Sequence, residues 1–201
     1  MLQPNATYRE RIIDAGMRLF QMNGYMSTAV QDITSLASVP KGSFYNHFQS
    51  KEKLALEIID EYEKHIVNNY DSFLRDKRKP PIDRIYLYFE RINHDYSEYG
   101  VETGCLLGNL SLEVGGTHLL FRERLRSVFS RRARALESVL EEATEEGWVN
   151  RSEIPLNILA HQIIDTWEGA TMRCKISMMT DSHDQFLRYM LPQLIGHPSE
   201  V

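Results

Sequence analysis

Apolar residues recur at helical spacing along nearly the whole chain, and no stretch alternates as a strand would. Ile12, Ile13, Gly16, Leu19 and Phe20 share one side of a helix predicted over about residues 7–22, opened by Thr7 as N-cap and closed by Asn23-Gly24. Val30, Ile33, Leu36 and Ala37 predict a short second helix capped by Thr28. A tight turn at Ser38-Val39 leads into a third, in which Pro40 suits the first helical position because its missing N–H costs nothing there. Ser50 predicts the cap of a long fourth helix with Leu54, Ile58 and Tyr62 on one stripe, running to about residue 77, where Lys79-Pro80-Pro81 stops it. Further helices are expected near 82–99, 106–114, 118–146, 154–179 and 183–195, separated by Gly100, Gly115-Gly116, Gly147 and Pro155. The expected fold is all-α: a three-helix unit with a helix-turn-helix over residues 1–50, and a helical body over 51–201 for ligand binding and dimerisation.

The third helix carries the most specific chemistry. Phe44 and Phe48 lie four apart and bury together, which turns Lys41, Ser43, Tyr45 and His47 outward, with Asn46 beside them. Gly42 and Ser43 carry almost no bulk, so the backbone can approach another surface closely. Outward donors over a small-residue surface suit a helix that reads a nucleic-acid groove. The net charge of −5 over 201 residues argues against this only as an average. Residues 1–53 carry +2 and the remainder −7, and a phosphate-binding surface needs local positive charge rather than a basic whole.

Composition narrows the rest. A hydrophobic fraction of 42% suffices for a buried core without staples. Arg9, Glu10 and Arg11 stand where a signal peptide would be apolar, and no segment reaches a membrane span, so a cytoplasmic protein with no membrane partner is expected. Cys105 and Cys174 show no ligand spacing and the histidines form no metal motif, so no metal or cofactor is expected. The acidic run Glu141–Glu146 reads as a solvated helix face.

From Ala15, Leu19 and Phe20 through Gly24-Tyr25, Thr28, Asp32-Ile33 and Lys41-Gly42-Ser43-Phe44-Tyr45 to Lys51 and Leu54, the chain resembles the DNA-binding domain of the TetR/AcrR family of bacterial transcription regulators. The resemblance implies a homodimer whose third helices enter successive major grooves of a near-palindromic double-stranded operator. It places Gln31 where the family often has a base-reading arginine, and Lys41, Gly42 and Ser43 at the base edges. A contact from Gln31 favours adenine and one from Lys41 guanine. Thr28, Tyr45, His47 and Lys51 match positions that hold the phosphate backbone.

A second segment, Thr103-Gly104-Cys105-Leu106-Leu107-Gly108-Asn109, is similar to a sub-branch of that family that includes the N-ethylmaleimide-responsive and acrylate-responsive repressors. In the former a cysteine after this glycine senses electrophiles. Cys105 precedes a predicted helix, whose unpaired N–H groups stabilise a thiolate, but no lysine stands close by in sequence to add to that effect. A non-covalent effector in an aromatic pocket of Phe89, Tyr96, Asn109, Trp167 and Met172 is the alternative. Met178, Met179 and Met190 fit a dimer surface on the last two long helices. The expected function is an effector-released repressor. An activator, or a cysteine-dependent enzyme using Cys105, are the other readings, and steady-state turnover of an electrophile would single out the enzyme.

Overall fold

The computed structural model describes residues 6–149 and 154–196, and among these every regular element is helical. In chain order they are α1 (Tyr8–Asn23), α2 (Val30–Leu36), α3 (Lys41–His47), α4 (Lys51–Asn69), α5 (Asp71–Arg75), α6 (Pro81–Tyr99), α7 (Leu106–Val114), α8 (Leu119–Glu145), α9 (Leu156–Ser177), α10 (Asp181–Gln185) and α11 (Leu191–Ile195). A single 3₁₀ turn at Val101–Thr103 precedes α7. No described helix is long and apolar enough to cross a membrane.

The elements group into two compact units. One holds the chain through Lys64 together with Cys105–Arg126; the other holds His65–Gly104 and the chain from Ser127 onward. In the first unit Ile12, Phe20, Ile33, Phe44 and Leu54 are fully buried. Gly16 lets α4 come close, since a Cβ there would lie 2.8 Å from Ile58 Cδ1. In the second, Ile85, Phe89, Trp167 and Phe186 form the centre.

Local chemistry explains the helix starts. Thr7 Oγ1 accepts the Glu10 N–H (3.3 Å) while the Glu10 carboxylate accepts the Thr7 N–H (2.7 Å), a reciprocal cap. Ser50 Oγ accepts the Lys53 N–H at 3.1 Å and opens α4. Thr28 does not cap α2: Ala29 holds that position, and the Asp32 carboxylate accepts the Ala29 N–H at 2.8 Å. Pro40 is likewise the N-cap of α3, one residue before the expected place. Leu36, expected inward, is exposed at the end of its two-turn helix.

Three expectations about the body are corrected. The fourth helix stops at Asn69 rather than near 77, because the Asn69 side-chain amide donates to the His65 carbonyl (2.8 Å) and the buried Tyr70 swings its hydroxyl onto Asp95 (2.8 Å). The final helix is interrupted by a π-helical turn over Phe186–Met190, in which the Leu191 N–H donates to the Phe186 carbonyl five residues back, immediately before Pro192, which has no N–H to give. Within the acidic run, Glu142 is no solvated bystander. It pairs with Lys77 and, at 2.5 Å, with the buried Arg84, and these two cations hold its carboxyl below the usual range.

Candidate functional site

The exposed side of the helix-turn-helix is built by the two phenylalanines. Phe44 and Phe48 are buried with ring centroids 5.7 Å apart, which leaves Lys41, Tyr45, Asn46 and His47 exposed and Ser43 half-buried. Nothing lies within 4 Å of a Cβ at Gly42, so the backbone there is open to a partner surface. Gln31 is exposed on α2, its amide 3.4 Å from Ser35 Oγ. The turn before α3 passes through Ser38 at φ 53°, where Arg11 donates to the Ser38 carbonyl at 2.9 Å. Arg9 packs over the Phe48 ring and pairs with Glu57 on α4, tying α1 to both elements.

Two residues expected at the phosphate backbone face inward instead. Thr28 is 1% exposed and its hydroxyl donates to the Gly24 carbonyl at 2.7 Å. Lys51 donates to the Tyr25 and Thr28 carbonyls at 2.8 and 2.9 Å and sits 4.2 Å from the centre of the Tyr25 ring, and burial pushes its ammonium down. Their ordering of the turn between α1 and α2 is completed by a residue that sequence reasoning passed over. Glu113, on α7, accepts the Tyr25 N–H on Oε1 (3.2 Å) and the Met26 N–H on Oε2 (2.9 Å). Its partners lie 87 and 88 positions earlier, so no local pattern announces it.

Of the effector candidates, Cys105 and Asn109 belong to the first unit. Cys105 is the N-cap of α7 and only 4% exposed, and the Asn109 amide reaches toward the Gln21 carbonyl at 3.5 Å. Met172 is 54% exposed and lines no aromatic interior. Phe89 and Tyr96 do come together on Trp167, in the second unit, and a residue not expected there, His183, packs against Tyr96 and Trp167. The His183 ring lies parallel to the Trp167 indole with centroids 6.0 Å apart, and Tyr96 meets both edge-on.

Hydrogen bonding fixes the chemistry of this cluster. The Thr171 hydroxyl lies 3.0 Å from the Trp167 carbonyl and 2.9 Å from His183 Nε2, bridging the α9 backbone and the imidazole. His183 Nδ1 is buried and has no hydrogen-bond partner among the described residues. Burial pushes the His183 pKa down to about 4, so the ring is neutral near pH 7. Trp167 Nε1–H donates to Asn93 Oδ1 at 2.8 Å, and Asn93 Nδ2 has no acceptor among the described residues. Residues 89, 93 and 96 share one face of α6, a spacing visible in sequence; His183 offered no such signal.

The sequence and the fold are shared with known proteins. Residues 12–58 match the model described as bacterial regulatory proteins, tetR family, and residues 81–190 the tetracyclin repressor-like C-terminal domain. The chain is 35% identical over 197 residues to the HTH-type transcriptional repressor DhaR of Mycobacterium sp. (strain GP1), covering 96% of this chain and 95% of that one. A regulatory protein TetR from Rhodobacter sphaeroides superposes with a TM-score of 0.87 at 29% identity, over 96% of this chain and 99% of that one. The reduced form of E. coli NemR superposes with a TM-score of 0.77 at 26% identity, over 95% and 99%. With its exposed recognition helix and a helical body matched along most of its length, the chain belongs to the TetR family and is a DNA-binding transcriptional regulator.

Proposed function

We propose that the protein is a cytoplasmic bacterial repressor that binds a near-palindromic operator as a homodimer and leaves it when a small molecule binds the helical body. The observation that carries the DNA half is the exposed row of Lys41, Tyr45, Asn46 and His47 beside the open backbone of Gly42. Lys41 and Gln31 are assigned to base edges with Ser43, and Tyr45 and His47 to phosphates. Thr28 and Lys51 act by holding the α1–α2 turn, not by touching DNA. Binding of the second copy is assigned to α9, where Ile158, Met172 and Ile176 form an exposed stripe with Gly169, and nothing lies within 4 Å of a Cβ at Gly169. A helix can approach closely there.

The effector reading rests on the cluster around Trp167. Two buried polar atoms without partners among the described residues, the Asn93 amide nitrogen and His183 Nδ1, are costly unless something pairs with them. A small uncharged molecule with a hydroxyl or amide both donates and accepts, and so can pair with either atom. The second reading is an electrophile acting on Cys105, favoured by its place at the start of α7. Release requires the effector to prefer the conformation that no longer fits two grooves roughly 34 Å apart, and each tenfold preference contributes about 1.4 kcal/mol.

Fluorescence anisotropy on DNA flanking the protein's own gene, before and after stoichiometric N-ethylmaleimide, tests both. Specific wild-type binding that survives alkylation is the expected result. Loss on alkylation that Cys105→Ser prevents would replace the non-covalent reading by the thiol one, and specific binding untouched by Lys41→Ala would remove the assigned interface.

A further inference from the structure

We propose that Glu113 is a positioning residue for operator binding: its carboxylate, presented by α7, holds the turn that sets the angle of the helix-turn-helix. This rests on the DNA-binding reading above. The turn Gly24–Thr28 is gripped from two sides. On one, both Glu113 oxygens take the consecutive N–H groups of Tyr25 and Met26, at 3.2 and 2.9 Å. On the other, the Lys51 ammonium takes the Tyr25 and Thr28 carbonyls at 2.8 and 2.9 Å.

The fit of the carboxylate is built into the backbone. Gly24 stands at φ 85°, a conformation that favours glycine, and a Cβ there would lie 2.5 Å from Glu113 Oε1. Phe121, at the start of α8, meets the Tyr25 ring edge-on at 5.1 Å and steadies the same turn. Charge-assisted bonds to backbone N–H groups are about twice as strong as neutral ones, and losing them leaves two donors to be satisfied otherwise. With the turn held, α2 leaves its Ala29 cap in a fixed direction, and α3 follows through the Ser38 turn.

The clasp makes DNA affinity depend on where α7 stands. Cys105 is the residue from which α7 starts, and Glu113 is the eighth of its nine residues, about two turns along. A displacement of α7 along its axis by a fraction of a turn withdraws the carboxylate from both N–H groups. Operator affinity falls without any change at a DNA-contacting side chain.

The test has a sign that simple electrostatics cannot mimic. Removing a negative charge from the DNA-binding unit by Glu113→Gln strengthens binding to a polyanion if charge alone matters. The clasp predicts weaker binding, by on the order of tenfold for Glu113→Ala and less for Glu113→Gln, which keeps one acceptor oxygen. The salt dependence of log Kd stays at the wild-type slope, since no phosphate contact is lost. Anisotropy on the operator fragment from 50 to 200 mM salt reads both quantities, on the full-length protein. Amide chemical shifts of Tyr25 and Met26 in the DNA-free protein report the clasp directly, and circular dichroism checks that each variant folds. Unchanged or tighter binding by Glu113→Gln, or Tyr25 and Met26 resonances that do not respond, overturns the proposal. If wild type fails to bind the operator, the DNA reading fails while the amide shifts still decide whether the clasp exists.

Discussion

His183 has a consequence for acid stability that follows from its burial. Its folded pKa, about 4, lies below the 6.5 of an exposed imidazole, so between those values the unfolded chain binds the extra proton. Stability from this residue is complete above about pH 6.5 and is lost as pH falls toward 4, by about 3 kcal/mol in all. Glu142, whose folded pKa is lowered by Lys77 and Arg84, acts in the same direction but below the ordinary carboxylate pKa. The two are separable by window: in His183→Gln the decline in Tm between pH 6.5 and 5 flattens, while the loss below 4.5 persists. Gly24→Ala is the second expectation at this scale. Its positive φ and the adjacent carboxylate make the substitution destabilising by at least about 1 kcal/mol, measured by urea unfolding.

At the level of elements, most helix starts were legible because their causes are local. Thr7 with Glu10 and Ser50 with its own helix lie within three residues of what they cap, and Thr7→Ala is expected to cost about 0.5–2 kcal/mol with α1 frayed at its start. The exceptions lie where the deciding partner is distant in sequence. The break after Asn69 depends on Asp95, 25 residues from the Tyr70 hydroxyl it accepts, and Ala29 rather than Thr28 caps α2 because the Thr28 hydroxyl is used on the end of α1. The exposed donors of α3 were legible from the Phe44 and Phe48 spacing alone. The inward use of Lys51 was not, because a lysine on a helix start suits a phosphate as well as a carbonyl. On that basis Tyr45→Phe is expected to weaken operator binding, whereas Lys51→Met destabilises the turn and is read as a lower Tm even without DNA.

For the whole molecule, the exposed stripe on α9 predicts association. Ile176→Glu is expected to shift the mass in light scattering from dimer toward monomer and to weaken operator binding with it, since two half-sites are then no longer engaged together. Gly169→Phe tests the same face by bulk instead of charge. The helical class and the order of elements could be read from periodicity, but the grouping of the chain into two units could not, because the first is assembled from two separated segments. That discontinuity bears on recombination. A chimera that exchanges only the residues before Lys64 between two such proteins would move the operator preference yet leave behind the segment Cys105–Arg126, and with it the carboxylate that grips the α1–α2 turn. Successful exchange of operator specificity therefore requires transplanting both pieces, or matching the recipient's residue at 113 to the incoming glycine at 24.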